Sequence, residues 1–167
     1  MKTRSLARSA LLVALALALS YIERWIPLNL LVPLPGVKLG LANIVTMTAL
    51  FFLPSGQGFA ILIVRCLLGS VFGGGISGLA MSLTGGILAY GTMALSKRVP
   101  FLSVYGVSIL GAAAHNLGQV LAASVMMGSV YPFYYLPFLL LTGLATGTIT
   151  GTISSLTFRI LRNVPIS

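Results

Sequence analysis

Residues 76–95 read ISGLAMSLTGGILAYGTMAL, twenty consecutive positions without a charge. A helix of about 20 apolar residues crosses the hydrocarbon core of a bilayer, whereas a helix on a soluble domain keeps one charged face. Working outward, comparable apolar stretches occupy Leu6–Ile22, Leu39–Leu53, Gly58–Phe72, Phe101–Met127 and Pro132–Ile160. The second and third of the six are short, and Pro54 with Ser55, Gly56 and Gln57 marks a tight turn between them. They read as one broken hairpin or as two short spans. Two is preferred, because broken or glycine-rich segments survive at membrane depth only where protein covers them. The expected architecture is all-α: a polytopic membrane protein of six transmembrane helices, with residues 1–167 forming a single integral membrane domain.

Composition agrees with this reading. The 167 residues are 57% hydrophobic and 7% charged, with a mean hydropathy of +1.06. An ordinary soluble domain carries about a quarter charged residues, so this chain lacks the polar surface to coat a globule in water. Ten Lys and Arg face a single acid, Glu23, and there is no Asp. Paired-carboxylate hydrolysis, Mg²⁺ cages and aspartate-rich diphosphate sites are therefore excluded for the chain on its own, and it is not expected to be an enzyme. The single Cys66 excludes an internal disulfide and a multi-cysteine metal site; the lone His115 holds no metal without further ligands, and no cofactor is expected.

The net charge of +9 is too dispersed to track a phosphate backbone, so no nucleic-acid partner is expected. It reads instead as topology. With six spans and both termini cytoplasmic, Lys2, Arg4, Arg8, Lys97, Arg98, Arg159 and Arg162 fall inside. Arg24 and Lys38 fall outside, and Arg65 lies within the third span. That asymmetry satisfies the positive-inside rule. The basic start, apolar centre and Ala-x-Ala tripeptides of Met1–Ser20 also match a secretory signal peptide with cleavage after Ala18. Because the apolar run continues to Ile22, the segment is read as the first span.

Small residues mark where helices touch in lipid. Ala10, Ala14 and Ala18 make a stripe on the first span; spacing leaves open whether it packs internally or docks a partner. Ala114, Gly118 and Ala122 on the fifth span, and Gly143, Gly147 and Gly151 on the sixth, read as internal packing. Thr142, Thr146 and Thr150 run beside the last stripe and suit bonds across that interface. Ionisable groups inside a span usually face a cavity or a partner. Arg65 is the deepest, and with no acid elsewhere in the bundle it is read as a ligand-binding group. His115, Asn116 and Gln119 form a second polar set, and Asn43 with Thr46 a third. For Asn43 and Gln119, an internal hydrogen-bond network and ligand contact remain equally open. Glu23 is placed at the outer membrane edge beside Arg24.

Two outer loops are expected to flank the site. Arg24–Gly40 carries Trp25, Pro27, Pro33, Pro35, Gly36 and Lys38, and suits a lid. Gly73–Gly75 with Gly78 reads as a flexible loop; it lacks the Gly-Lys-Ser/Thr ending of a nucleotide-binding loop, so no ATP site is read there. The expected substrate site lies between these loops and Arg65, in the outer half of the bundle, lined by Lys38, Asn43, Arg65, His115, Asn116 and Gln119. Its positive character favours an anionic or strongly polar small molecule with an apolar part.

The run Pro35-Gly36-Val37-Lys38-Leu39-Gly40-Leu41-Ala42-Asn43, then Arg65 ahead of the glycine run, then His115-Asn116, resembles a small bacterial membrane-protein family. That family is labelled both heptaprenyl diphosphate synthase component I and Gx transporter, and the resemblance covers nearly the whole chain. In size, span count and first-helix alanine stripe it is similar to the substrate-binding S components of energy-coupling factor transporters. This likeness implies that Ala10, Ala14 and Ala18 dock on a transmembrane coupling subunit served by separate ATPases, in the bacterial cell membrane. The expected function is thus a substrate-binding subunit of an uptake transporter for a small, vitamin-like molecule. The alternative is a non-catalytic membrane subunit of a polyprenyl diphosphate synthase. With no Asp, the chain is not the catalytic subunit by itself.

Overall fold

The computed structural model describes residues 2–26 and 37–162, and among these every regular element is helical. The prolines at 27, 33 and 35 and Gly36, expected to form most of a lid, lie outside the described residues. Helix α1 spans Lys2–Ile22 and ends in a 3-10 turn, Glu23–Trp25. Then follow α2 (Asn43–Phe52), α3 (Ser55–Gly69), α4 (Gly75–Ser96), α5 (Val104–Met127) and α6 (Leu136–Arg162).

Local chemistry sets the boundaries. Proline disfavours helical backbone in the residue before it, and Leu53 accordingly sits at φ −117°, ψ 159°, ending α2. Ser103 caps α5, its Oγ accepting the Gly106 N–H at 3.2 Å, and Gly128 closes the same helix at φ 57°. Between α3 and α4 the expected flexible loop is absent. Ser70–Gly74 form one wide helical turn, and Gly73 and Gly75 take φ of 102° and 62°, which lets the chain reverse without a loop. Gly78 lies inside α4 and is buried.

Four stretches are long and apolar enough to cross a membrane: Thr3–Ile22, Ser55–Ser96, Val104–Met127 and Tyr131–Leu161. The six expected spans are met only in part. The ten residues of α2 rise roughly 15 Å, half the core of a bilayer. Helices α3 and α4 belong to one 42-residue stretch folded back on itself. Tyr90 donates to the Ser55 carbonyl at 2.7 Å, Leu62 lies against Gly86, and Cys66 reaches the Ser82 carbonyl at 3.5 Å.

Glycines hold the α4–α5–α6 layer together. A Cβ on Gly118 would stand 2.6 Å from the Gly85 Cα, and one on Gly147 would stand 2.7 Å from the Ile109 Cα. Gly143 and Gly151 likewise press on Asn116 and Tyr105 of α5, so both small-residue stripes pack internally as expected. Of the three threonines only Thr150 is seen bonding across the interface, to Ser108 at 2.6 Å. Thr142 and Thr146 bond back to carbonyls of their own helix, at Leu139 and Gly143.

Helix α1 buries Val13 and Ala16 against Val45, Ala49 and Ile61. That choice of face leaves Ala10, Ala14 and Ala18 exposed, turning the alanine stripe outward.

At one end of the bundle, Gln57 donates to Ser5 Oγ at 2.8 Å, Lys97 donates to the Leu50 carbonyl at 2.7 Å, and Phe158 packs on Phe51 and Phe52. The start of α1, the α2–α3 turn and the ends of α4 and α6 therefore share one end, the end that carries Arg4, Arg8, Lys97, Arg98 and Arg159.

Candidate functional site

The opposite half of the bundle contains a buried polar cluster organised around residues 38–40. The Gln119 side-chain amide clamps the Lys38 backbone from α5: its Oε1 accepts the Lys38 N–H at 2.7 Å and its Nε2 donates to the Lys38 carbonyl at 2.8 Å. Lys38 Nζ donates to Ser82 Oγ of α4 at 3.2 Å. Arg65, on α3, donates from Nη2 to Asn43 Oδ1 on α2 at 3.4 Å. His115 fills the space between two glycines; a Cβ on Gly40 or Gly85 would come within 3.0 Å of its ring.

Glu23 corrects the expected electrostatics. It does not sit at the membrane edge but is 3% exposed, and its carboxylate accepts the Gly40 N–H. The 3-10 turn after α1 directs it inward, within electrostatic reach of Lys38 and Arg65. An acid thus lies within electrostatic reach of Arg65, so its burial alone does not demand an external anion. Burial pushes the Glu23 carboxyl above the usual carboxylate range, while the Gly40 and Leu41 N–H groups and the two cations draw it back.

Of the expected site residues, Lys38, Asn43, Arg65, His115 and Gln119 converge here. Asn116 does not: one position further round α5, it donates to the Leu139 carbonyl and ties α5 to α6. Glu23 and Ser82 join the cluster without having been expected. The signal for Glu23 was its uniqueness, since one acid in a chain of ten cations belongs against a cation. Ser82 carried no signal. Two buried nitrogens, Arg65 Nε and His115 Nδ1, have no hydrogen-bond partner among the described residues.

The clamp has a measurable consequence. Gln119→Leu removes both hydrogen bonds to the Lys38 backbone, at a cost of about 1–3 kcal/mol. Trypsin should then cut after Lys38 faster than in the parent protein; an unchanged cutting rate would show that the segment is held by other contacts.

Divalent-metal chemistry on diphosphate does not fit these residues. The chain has no Asp, its only Glu is committed to Gly40 and two cations, and no group of three His, Cys, Asp or Glu occurs among the described residues.

The helices and this cluster define a class: an all-helical, membrane-type bundle with a buried charged core. No curated protein and no solved structure matches the chain. A family does: over residues 12–157 it matches heptaprenyl diphosphate synthase component I, and it belongs to that family. The family name implies a partner subunit, the other component of the synthase.

Proposed function

We propose that the chain is a non-catalytic, membrane-embedded component of a polyprenyl diphosphate synthase, spanning the bacterial cell membrane with its basic end in the cytoplasm. One observation carries the reading. The only acidic side chain is buried on Gly40, within electrostatic reach of Lys38 and Arg65, which leaves no acid to hold the Mg²⁺ that prenyl transfer uses to activate a diphosphate. Catalysis then belongs to a partner, and this chain supplies the bilayer anchor. Its family supports the partner, its apolar stretches the anchor, and the gathering of Arg4, Arg8, Lys97, Arg98 and Arg159 at one end the orientation. The buried cluster serves to pin Glu23 and residues 38–40 onto α3, α4 and α5.

A second reading, the substrate-binding subunit of an uptake transporter, is favoured by the outward alanine stripe and by the unpartnered Arg65 Nε and His115 Nδ1. There a small anionic substrate bonds Arg65 and His115, and Ala10, Ala14 and Ala18 dock a coupling subunit served by ATPases. Affinity capture separates the two. The chain in detergent, offered both a soluble prenyl diphosphate synthase subunit and a coupling module from the same cell, is expected to retain the synthase. Retention of the coupling module instead, lost on Ala14→Leu, contradicts the component reading.

A further inference from the structure

Helix α1 is the least covered of the four membrane-length stretches: 11% of the apolar window within Thr3–Ile22 is buried by the rest of the chain. Beside it, an open groove of about 910 Å³ runs between α1 and α3. Leu6, Leu17, Val64 and Leu68 line it, and Ala14 and Ala60 keep its middle free of bulk. Along α1 it extends from Ser5 to Leu17, roughly 18 Å at the helical rise. Its polar lining residues, Ser5, Ser9 and Gln57, lie toward one end. There Ser5 and Gln57, bonded to each other at 2.8 Å, continue into a second pocket of about 340 Å³ that Arg4 joins. This is the basic end of the bundle. No acidic side chain shares it, because Glu23, the only one, is bonded to Gly40 in the opposite half.

Depth and charge together select the occupant. The hydrocarbon of one leaflet is about 15 Å deep, half of a core of about 30 Å. The groove matches that depth and ends, whereas a partner helix crossing the bilayer would need a face of about 30 Å to lie along. Two copies of this chain share one orientation in the membrane, so pairing at the groove would bring Arg4 against Arg4 at one depth. We propose that the α1–α3 groove holds an anionic phospholipid of the leaflet on the basic side, with an acyl chain along Ala14 and Ala60 and the phosphate at Arg4 and Ser5. Arg4 is exposed, and a guanidinium meets phosphate oxygens with paired N–H groups. Ser5 Oγ accepts from Gln57, so its hydroxyl proton is left to donate to a phosphate oxygen. Arg8 borders the same pocket but has an interaction of its own, so the charge contact falls to Arg4. The site follows from the groove and its charged end, and it stands under either reading of the protein's function.

The test places the full chain in phosphatidylcholine nanodiscs with a trace of phosphatidylglycerol or phosphatidylcholine, each spin-labelled near the end of its acyl chain. Electron paramagnetic resonance then reads how strongly the protein restricts each lipid. Phosphatidylglycerol is expected to bind about fivefold more tightly than phosphatidylcholine, the effect of roughly one basic residue at a membrane surface. Arg4→Gln should remove that preference. Ala14→Trp and Ala60→Trp, which fill the groove from either wall, should each lower restricted phosphatidylglycerol to the level shown by phosphatidylcholine. All three positions are exposed, so the fold is retained, and an unfolding temperature equal to the parent's checks this. Equal restriction of the two lipids by the parent marks an ordinary lipid shell and overturns the proposal. A preference that survives Arg4→Gln overturns the phosphate contact, and one that survives both tryptophans overturns the groove. In discs large enough for two copies, pairing that expels the restricted lipid would make the groove a self-contact and overturn the proposal as well.

Discussion

Replacing Glu23 with alanine is expected to cost about 3–5 kcal/mol of stability, the magnitude found when one member of a buried ion cluster is removed. The carboxylate is 3% exposed and lies within reach of Lys38 and Arg65, and Arg65 is itself buried. Alanine leaves the buried Arg65 guanidinium with no acid to balance it, removes the acid facing the half-buried Lys38, and strands the Gly40 N–H. Glu23→Gln separates the two losses, because its carbonyl still accepts from Gly40 while the charge is gone; an intermediate loss is expected. Adding Arg65→Met to Glu23→Gln should recover part of the stability, since the second change removes the cation that the first left unbalanced. Thermal unfolding in detergent reads all three. If Glu23→Ala unfolds with the parent, the cluster is held without its acid and the electrostatic account of Glu23 is wrong.

The second large effect belongs to Gly118. Substitution by leucine forces a side chain into backbone: the Cβ alone would lie 2.6 Å from the Gly85 Cα and 2.8 Å from the Thr84 carbonyl oxygen. Backbone atoms of a helix do not swing aside as a flexible side chain does, so α4 and α5 must separate along the seam that also carries His115 and Gln119. Overpacking costs about 1–3 kcal/mol in ordinary cores, and a contact of this kind belongs at the upper end or beyond. Gly91→Ala is the control. Gly91 is also helical, on α4, and nothing lies within 4 Å of its would-be Cβ, so alanine there should be tolerated. Equal tolerance at Gly118, read by yield of folded protein and by unfolding temperature, would contradict the packing described.

Much of this architecture was legible in the sequence because a bilayer accepts only long apolar segments with satisfied backbones. The fifth and sixth stretches were read almost to their observed limits, and Gly143, Gly147 and Gly151 announced a close helix contact by spacing alone. What stayed hidden depended on tertiary placement. Gly73 to Gly75 suit a loop and a tight reversal equally, and only their φ angles distinguish the two. His115 and Asn116 are neighbours in sequence but about 100° apart round a helix, so one faces the polar cluster and the other α6. Glu23 was placed at the membrane edge because it follows an apolar helix. The turn that brings it inward, and the return of Lys38 to Gly40 above it, are long-range events that no local pattern encodes. The alanine stripe was left open by its spacing, and the burial of Val13 and Ala16 decided which way it faces.

The central claim is that this chain anchors a synthase without performing its chemistry. Prenyl transfer from labelled five-carbon diphosphates, measured in nanodiscs with the chain alone, with a partner synthase subunit alone, and with both, tests it most directly. The account predicts no product from the chain alone, and from the pair a synthase that sediments with the bilayer and leaves its elongated product there. Elongated product formed by the chain alone, or a synthase that stays in solution with its product when the chain is present, would contradict it.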